Sequence, residues 1–548
     1  MTVQGILLHL LTMSKKNRGL HVICMTVLLS CGAAAQSTTT GQAVRQWRVQ
    51  HEADIVRQYA DLLSLPNVAS DTANIQRNAD RISELLRARG VKTRLLPVEG
   101  APPIVYGELP AAGATKTIGI YAHYDGQPVD PAQWASPPWK VRLLDRALDQ
   151  GGQEIPIESL TGGGEGRNSP PTPKEGEGGA PKNEGGTKIP PEARIYARSA
   201  SDDKAPIQAI LSALDALKAA GAKPSINLKF FFEGEEEAGS PHLPAAFQQY
   251  RDLLSADSWL LCDGPVHQSR RWQVYFGARG MVGVEITLYG PARVLHSGHY
   301  GNWAPNPGAQ IADLLALVRD RKGQITIPGF SDDVRPLSAS ELAAIKAMPD
   351  VDTQLKQELA LGWTEDEGEP LPMAITHPAL NVRGIQVGNV GSKAQNAIST
   401  EARASIDFRL VPDQTPEHVR ETFEAFLTKQ GYWITHKTPT LDERRQHARV
   451  VYLDWEPGYK AARTSMDLPV AKAVVAAMES VSREPIVKAP LQGGSIPMYL
   501  WTDVLKSPVI GLPIANHDNN QHGANENLRI QNLWDGIDIF AAVFTGMK

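Results

Sequence analysis

Compact apolar runs alternating with helical patterns predict an α/β protein with a mainly parallel sheet and a smaller α+β unit inserted into it. Three observations carry that prediction. Residues 117–122, 227–232 and 258–262 are apolar runs of strand length, each running into an acidic or histidine-bearing turn. Between the first two, residues 204–220 read as a helix: Ile207, Ile210, Leu211, Leu214 and Leu217 share one face, and Gly221 stops it. From residue 281 the character changes, with strand-like stretches at 281–289 and 404–410 and helix-like ones at 307–321 and 416–430. The α/β alternation returns near Ser465 and runs to the end, as expected of one layered unit interrupted by another. On this reading residues 36–272 and 464–548 make the main unit, and residues 273–463 the inserted one.

A chain of 548 residues exceeds one ordinary hydrophobic core. With 42% hydrophobic and 21% charged residues, its composition is that of a globular protein. A net charge of −5 lacks the basic excess of a nucleic-acid binder. Residues 1–35 read as an export signal: Lys15, Lys16 and Arg18 precede an apolar run at 21–30, and small residues follow at 32–35. The run is short for a bilayer span, and Met13 begins a better-proportioned signal. Cleavage after Ala35 predicts an exported, periplasmic chain beginning at Gln36, with no transmembrane segment. Residues 28–31 loosely match a lipoprotein box that would anchor the chain through Cys31, although Leu29 fits poorly. Of Cys24, Cys31 and Cys262, the mature chain keeps one and forms no internal disulfide. Residues 151–190, where 17 of 40 are Gly or Pro and none is aromatic, read as a flexible surface insertion.

Ligands of open α/β sheets bind beyond the carboxyl ends of strands, where several ionisable clusters here belong. His123-Tyr124-Asp125 follows the first strand, and on its own reads equally as a solvated loop. Asp202-Asp203 precedes the helix at Lys204, where aspartate is also a preferred N-cap. Glu233-Gly234-Glu235-Glu236-Glu237 sets four carboxylates directly after Phe230-Phe231-Phe232. Like charges beside a buried strand are costly unless neutralised, which favours metal binding or acid–base work over an acidic turn at a helix start. Asp263 ends the strand at 258–262, and His517 and His522 lie in an Asn-rich loop at 516–525. Imidazole and carboxylate donors of this kind suit zinc, and also manganese or cobalt.

Together with Ser199-Ala200-Ser201-Asp202-Asp203-Lys204, Gly277-Ala278-Arg279-Gly280, Leu295-His296-Ser297-Gly298 and Gly493-Gly494-Ser495-Ile496-Pro497, these segments resemble, in order, the carnosinase-like dipeptidase branch of the M20 metallopeptidases. The resemblance covers nearly the whole mature chain outside 151–190. It implies a centre of two divalent metals, with Asp202 bridging, His123 and Asp263 on one ion, and Glu237 and His522 on the other. It further implies Asp125 orienting His123, Glu236 as general base, and Asn396, Arg409 and Ser495 contacting substrate. The inserted unit would be a lid that pairs two copies into a homodimer, with His296 reaching the partner's site to stabilise the oxyanion. The substrate implied is a dipeptide or short peptide with a free C-terminal carboxylate, which Arg409 would grip with two hydrogen bonds.

The chain departs from that pattern in places. Ala197-Arg198-Ser199 replaces a pair of glycines flanking the arginine, Ala205 the glycine after Asp-Lys, and Val294 an aspartate. No ligand is lost, so the departures bear on loop shape and substrate choice. An N-acyl amino acid amidase would use the same centre, and an exported peptide-binding protein would keep the fold without the chemistry. A serine hydrolase is disfavoured, because residues 493–497 lack nucleophile-elbow spacing.

Overall fold

The computed structural model describes residues 18–160, 189–365 and 368–547. The first half of the expected signal, residues 1–17, and the middle of the Gly/Pro-rich stretch, 161–188, lie outside them. The main sheet has eight strands in the order Lys92–Leu96, Ile104–Leu109, Asn227–Glu233, Thr117–His123, Ser258–Leu261, Val509–Gly511, Gln273–Tyr275 and Val487–Ala489. Its four central strands, from Asn227–Glu233 to Val509–Gly511, run parallel, and antiparallel pairings flank them.

The apolar runs read from sequence are continuous because these strands are covered on both faces. Ile118, Ile120 and Ala122 join Phe230, Phe232 and Leu260 in one core, while Tyr121, Phe231, Trp259 and Leu261 point into a second. The helices Lys204–Ala219, Ile530–Gly546 and Arg18–Leu63 pack together over the first core. In the part of Arg18–Leu63 nearest that core, Val44, Val56, Tyr59, Leu62 and Leu63 are buried. Gly119 is required where Trp259 crosses the strand, since a Cβ there would lie 2.2 Å from indole Cδ2.

The second sheet holds Ala379–Gln386, Glu401–Leu410, Gly277–Tyr289, Val450–Trp455 and Trp433–Thr435, in that order. Alternate residues Val282, Val284, Ile286 and Leu288 pack with Ala404, Ile406 and Phe408 against the helices Pro307–Val318 and Pro416–Lys429. The first of these helices stops three residues short of the expected 321. Arg319 is extended there, bridges Ile325, and donates Nε–H to Leu380 O (3.1 Å). Gly277–Tyr289 starts four residues before the expected strand, because its first turn pairs with Ala462–Arg463 and with the 492–495 segment. A Cβ on Gly280 would lie 2.3 Å from Tyr459 O, so that crowding demands the glycine.

The first ten residues of the Gly/Pro-rich stretch are packed against the fold. Ile155 N–H donates to Leu143 O (2.8 Å) and Leu160 is buried, so residues 151–160 belong to the fold. Their apolar Ile155, Ile157 and Leu160 supply the burial that the composition of the whole window obscured. Among the described residues, no helix is long and apolar enough to cross a membrane.

The crossing at Gly119 gives a test. Gly119→Ala forces the Trp259 indole to move in a packed core, and should cost about 1–3 kcal/mol, read as a lower denaturant midpoint with an unchanged slope.

Candidate active site

Two groups of potential metal ligands form among the described residues, and both contain Asp202. His123, at the carboxyl end of Thr117–His123, and Asp263, just beyond Ser258–Leu261, form the first with it. Glu237 and His522 form the second, and within each group the ligand atoms lie within 4.8 Å of one another. The parallel register that pairs His123 with Glu233 explains why the acidic run meets the histidine. His123 Nε2 stands 3.0 Å from Asp202 Oδ1, while His522 Nε2 stands 3.2 Å from Asp202 Oδ2 and 3.1 Å from Glu237 Oε2. Asp202 thus turns one oxygen towards each group. Its Oδ2 is buried and accepts no well-formed hydrogen bond, as expected of an oxygen shaped to bind a cation. The nitrogen and oxygen donors fit a divalent ion of the zinc, manganese or cobalt type.

The electrostatics agree with that fit. Burial, then the Asp202 charge, pushes Asp263 up to about 7. Burial also raises Glu236 well above the usual carboxylate range, with Asp263, Asp202 and Glu237 adding to the shift against the opposing charge of His123. Burial opposes protonation of His123, but its hydrogen bonds to Asp125 and Asp202 outweigh this and raise it. The Asp202 and Glu237 carboxylates beside it lift His522 to about 10. A buried surplus of carboxylates is the setting that a divalent cation neutralises.

The supporting residues fix this arrangement. Asp125 Oδ1 lies 3.3 Å from His123 Nδ1 and accepts the Glu236 N–H, while its Oδ2 accepts the Glu237 N–H (both 3.0 Å). Gln127 Nε2 donates to Glu237 Oε2 (2.8 Å). Asp203 occupies the N-cap position of Lys204–Ala219, yet its side chain makes no capping bond. Its Oδ2 instead accepts the His123 N–H (3.3 Å), so the expected capping role is replaced by a tie between the helix start and the His123 strand.

Sequence reasoning missed Glu526. It is fully buried, and its two oxygens accept from Ser199 N, Ser201 N, Ser201 Oγ, Asp202 N and Arg198 Nη1 at 2.8–3.0 Å. One carboxylate therefore gathers the loop that presents Asp202. The only cue was its place four residues after His522, in a loop whose polarity looks ordinary. Ser199, where the family pattern has glycine, takes a left-handed φ of 62° and is held by Asn67 Nδ2 (2.8 Å).

A cavity of about 660 Å³ is lined by Asp202, Glu236, Asp263 and His522 of the cluster and also by Arg409 and Ser495. Arg409 Nε donates to Asp407 Oδ2 (2.7 Å) and Nη1 to Ser495 Oγ (2.8 Å), which presets the guanidinium. His296 and Asn396 are not brought there. They sit together, exposed, where Leu295–His296 pairs with Ala397–Ile398; His296 Nδ1 accepts the Gly298 N–H, and Asn396 O the Ser297 N–H. His517 stays outside both ligand groups.

Removing Glu526 strands the buried Arg198 charge. Glu526→Ala should therefore cost about 3–5 kcal/mol in equilibrium unfolding; a loss under 1 kcal/mol would show that the loop holds its shape without it.

Comparison with known proteins agrees with this geometry. Residues 173–545 match the description Peptidase family M20/M25/M40. The chain is 24% identical over 445 residues to the Cys-Gly metallodipeptidase dug1 of Schizosaccharomyces pombe, covering 80% of this chain and 81% of that protein. It is 23% identical over 519 residues to the Beta-Ala-His dipeptidase of Homo sapiens, covering 92% and 89% respectively. The M20 family metallo-carboxypeptidase Sso-CP2 from Sulfolobus solfataricus superposes with a TM-score of 0.67 at 26% identity, over 89% of this chain and 98% of that one. With a family match over most of its length and a clustered His/carboxylate centre, the chain belongs to peptidase family M20/M25/M40 and is a hydrolase.

Proposed function

We propose that this enzyme hydrolyses the amide bond of dipeptides or short peptides that end in a free carboxylate. The observation that carries this reading is one cavity lined both by the Asp202 cluster and by a preset arginine. His123, Asp202 and Asp263 would hold one divalent ion and Asp202, Glu237 and His522 a second, zinc being the first choice for such donors. Bound there, such ions lower the pKa of a water towards neutrality and polarise the scissile carbonyl.

The chain's own residues do the rest. Arg409, aligned by Asp407 and Ser495, grips the substrate carboxylate and sets the scissile bond towards Glu236. The attacking water gives its proton to the Glu236 carboxylate, which passes it to the departing amine nitrogen. Asp125 fixes the backbone of Glu236 and of Glu237 at once, so the proton carrier and the adjacent ligand keep their spacing.

His296 and Asn396 lie outside their own chain's cavity, which supports a role for them across a homodimer. The outer strand Ala379–Gln386 exposes Val382 and Ile385, with Val387 just beyond, an apolar edge suited to a second copy of the lid formed by residues 273–463. Residues 1–35 are assigned as an export signal by their order of positive, apolar and small residues, giving a periplasmic enzyme beginning at Gln36.

Thorough chelation should abolish dipeptide hydrolysis and zinc or manganese should restore it; full activity in metal-free protein would sink the mechanism. Glu236→Gln should lower kcat roughly 100- to 10,000-fold. A wide preference for N-acyl amino acids over dipeptides would move the reading to an amidase. His296→Ala should reduce turnover with bound metal unchanged by elemental analysis, and loss of metal in that variant would show the residue to be misplaced.

A further inference from the structure

The substrate cavity has further lining groups that the chemistry above does not use. Besides the polar cluster, the cavity is lined by Met348, Val351, Leu371 and Ile375 of the inserted unit and by Leu491 and Ile496 of the main unit. These groups make an apolar wall in a cavity otherwise built for charge. Its position relative to Arg409 is fixed by three contacts. A Cβ on Gly493 would lie 3.5 Å from Ile375 Cγ2, so Ile375 packs over the 493–495 segment. Ser495, at the end of that segment, pairs with Arg279 in the ladder and accepts from Arg409 Nη1 (2.8 Å). The apolar wall therefore stands beside the arginine that takes the substrate carboxylate.

Arg279, from the Gly277-Ala278-Arg279-Gly280 motif, holds that wall. It is 8% exposed, and its guanidinium donates Nε–H to Ile375 O (2.8 Å) and Nη2–H to His377 O (2.7 Å), with Ala374 O 3.5 Å away. These carbonyls end the single helical turn Leu371–Ala374, and a cation gathering them is the natural way to stop such a turn. Among the described residues no carboxylate forms an ion pair with Arg279, so its guanidinium hydrogen bonds go to this backbone.

We propose that this wall binds the side chain of the carboxy-terminal substrate residue, that it selects apolar side chains there, and that Arg279 is the positioning residue that holds it. The proposal rests on the peptidase reading above and names its substrate class: dipeptides whose carboxylate-bearing residue is leucine- or phenylalanine-like.

The test is a panel with a constant amino-terminal glycine, assayed with metal-reconstituted enzyme: diglycine, glycyl-leucine, glycyl-phenylalanine, glycyl-aspartate and glycyl-lysine. Glycyl-leucine and glycyl-phenylalanine should exceed diglycine roughly tenfold or more in kcat/KM, the gain expected for burying such a side chain. The charged dipeptides should fall at or below diglycine. Ile375→Ser should collapse the glycyl-leucine to diglycine ratio. Arg279→Met should do the same through KM with little change in kcat, and Arg279→Lys should restore part of the ratio. If Arg279→Met does not fold, Ile375→Ser decides alone. Equal KM across the panel, or an unchanged ratio in folded Ile375→Ser, overturns the wall while leaving the peptidase reading intact. Cleavage of none of the panel overturns both.

Discussion

The site depends on one constraint: a carboxylate that is buried, shared and unable to move. Asp202 is 4% exposed and faces a histidine with each oxygen. A charge so placed is costly unless its surroundings are fixed to receive it. The fold meets that demand from behind, where Glu526 draws in the backbone from Ser199 to Asp202 and neutralises Arg198 in the same contact. It meets it from the front by setting strand ends side by side, so that His123, Glu233 and the residues after Leu261 emerge on one edge. The ligand cluster follows from those two supports.

Much of this was legible in the sequence, for a physical reason. Strands buried on both faces must be apolar throughout, so 117–122, 227–232 and 258–262 announced themselves, as did the charges at their ends. The ligand set was legible only as an ordered group of motifs, because each histidine or aspartate taken singly has an ordinary alternative. What stayed hidden was long-range pairing. Nothing in the composition around Glu526 says that its partners lie at 198–202, and nothing about Asp203 says that it forgoes the cap to hold His123 N–H. Local propensity names the bonds a residue can make with its neighbours, whereas these two bond across the fold.

The paired glutamates show how adjacent residues acquire separate work. Glu236 and Glu237 lie in one short helical turn, so their side chains diverge. Asp125 accepts both backbone N–H groups, fixing the turn, and Gln127 then claims Glu237 and leaves Glu236 to line the cavity. On the proposed mechanism, the difference between ligand and proton carrier would thus be set by what holds each carboxylate, since the residue types are identical.

The substrate half of the cavity is built on another frame. Arg409 belongs to the second sheet, and Arg279 to the strand Gly277–Tyr289, which begins one residue after Gln273–Tyr275 leaves the main sheet. That strand pairs with Glu401–Leu410 along ten residues and at its start meets the 492–495 segment of the main unit. The spacing between the His/carboxylate cluster and the arginine is therefore tied to one continuous run of chain, residues 273–289, that leaves the main sheet and enters the second. On the proposed reading, the side-chain preference would reside in Met348, Val351, Leu371 and Ile375 of the inserted unit, and the chemistry at the strand ends of the main sheet.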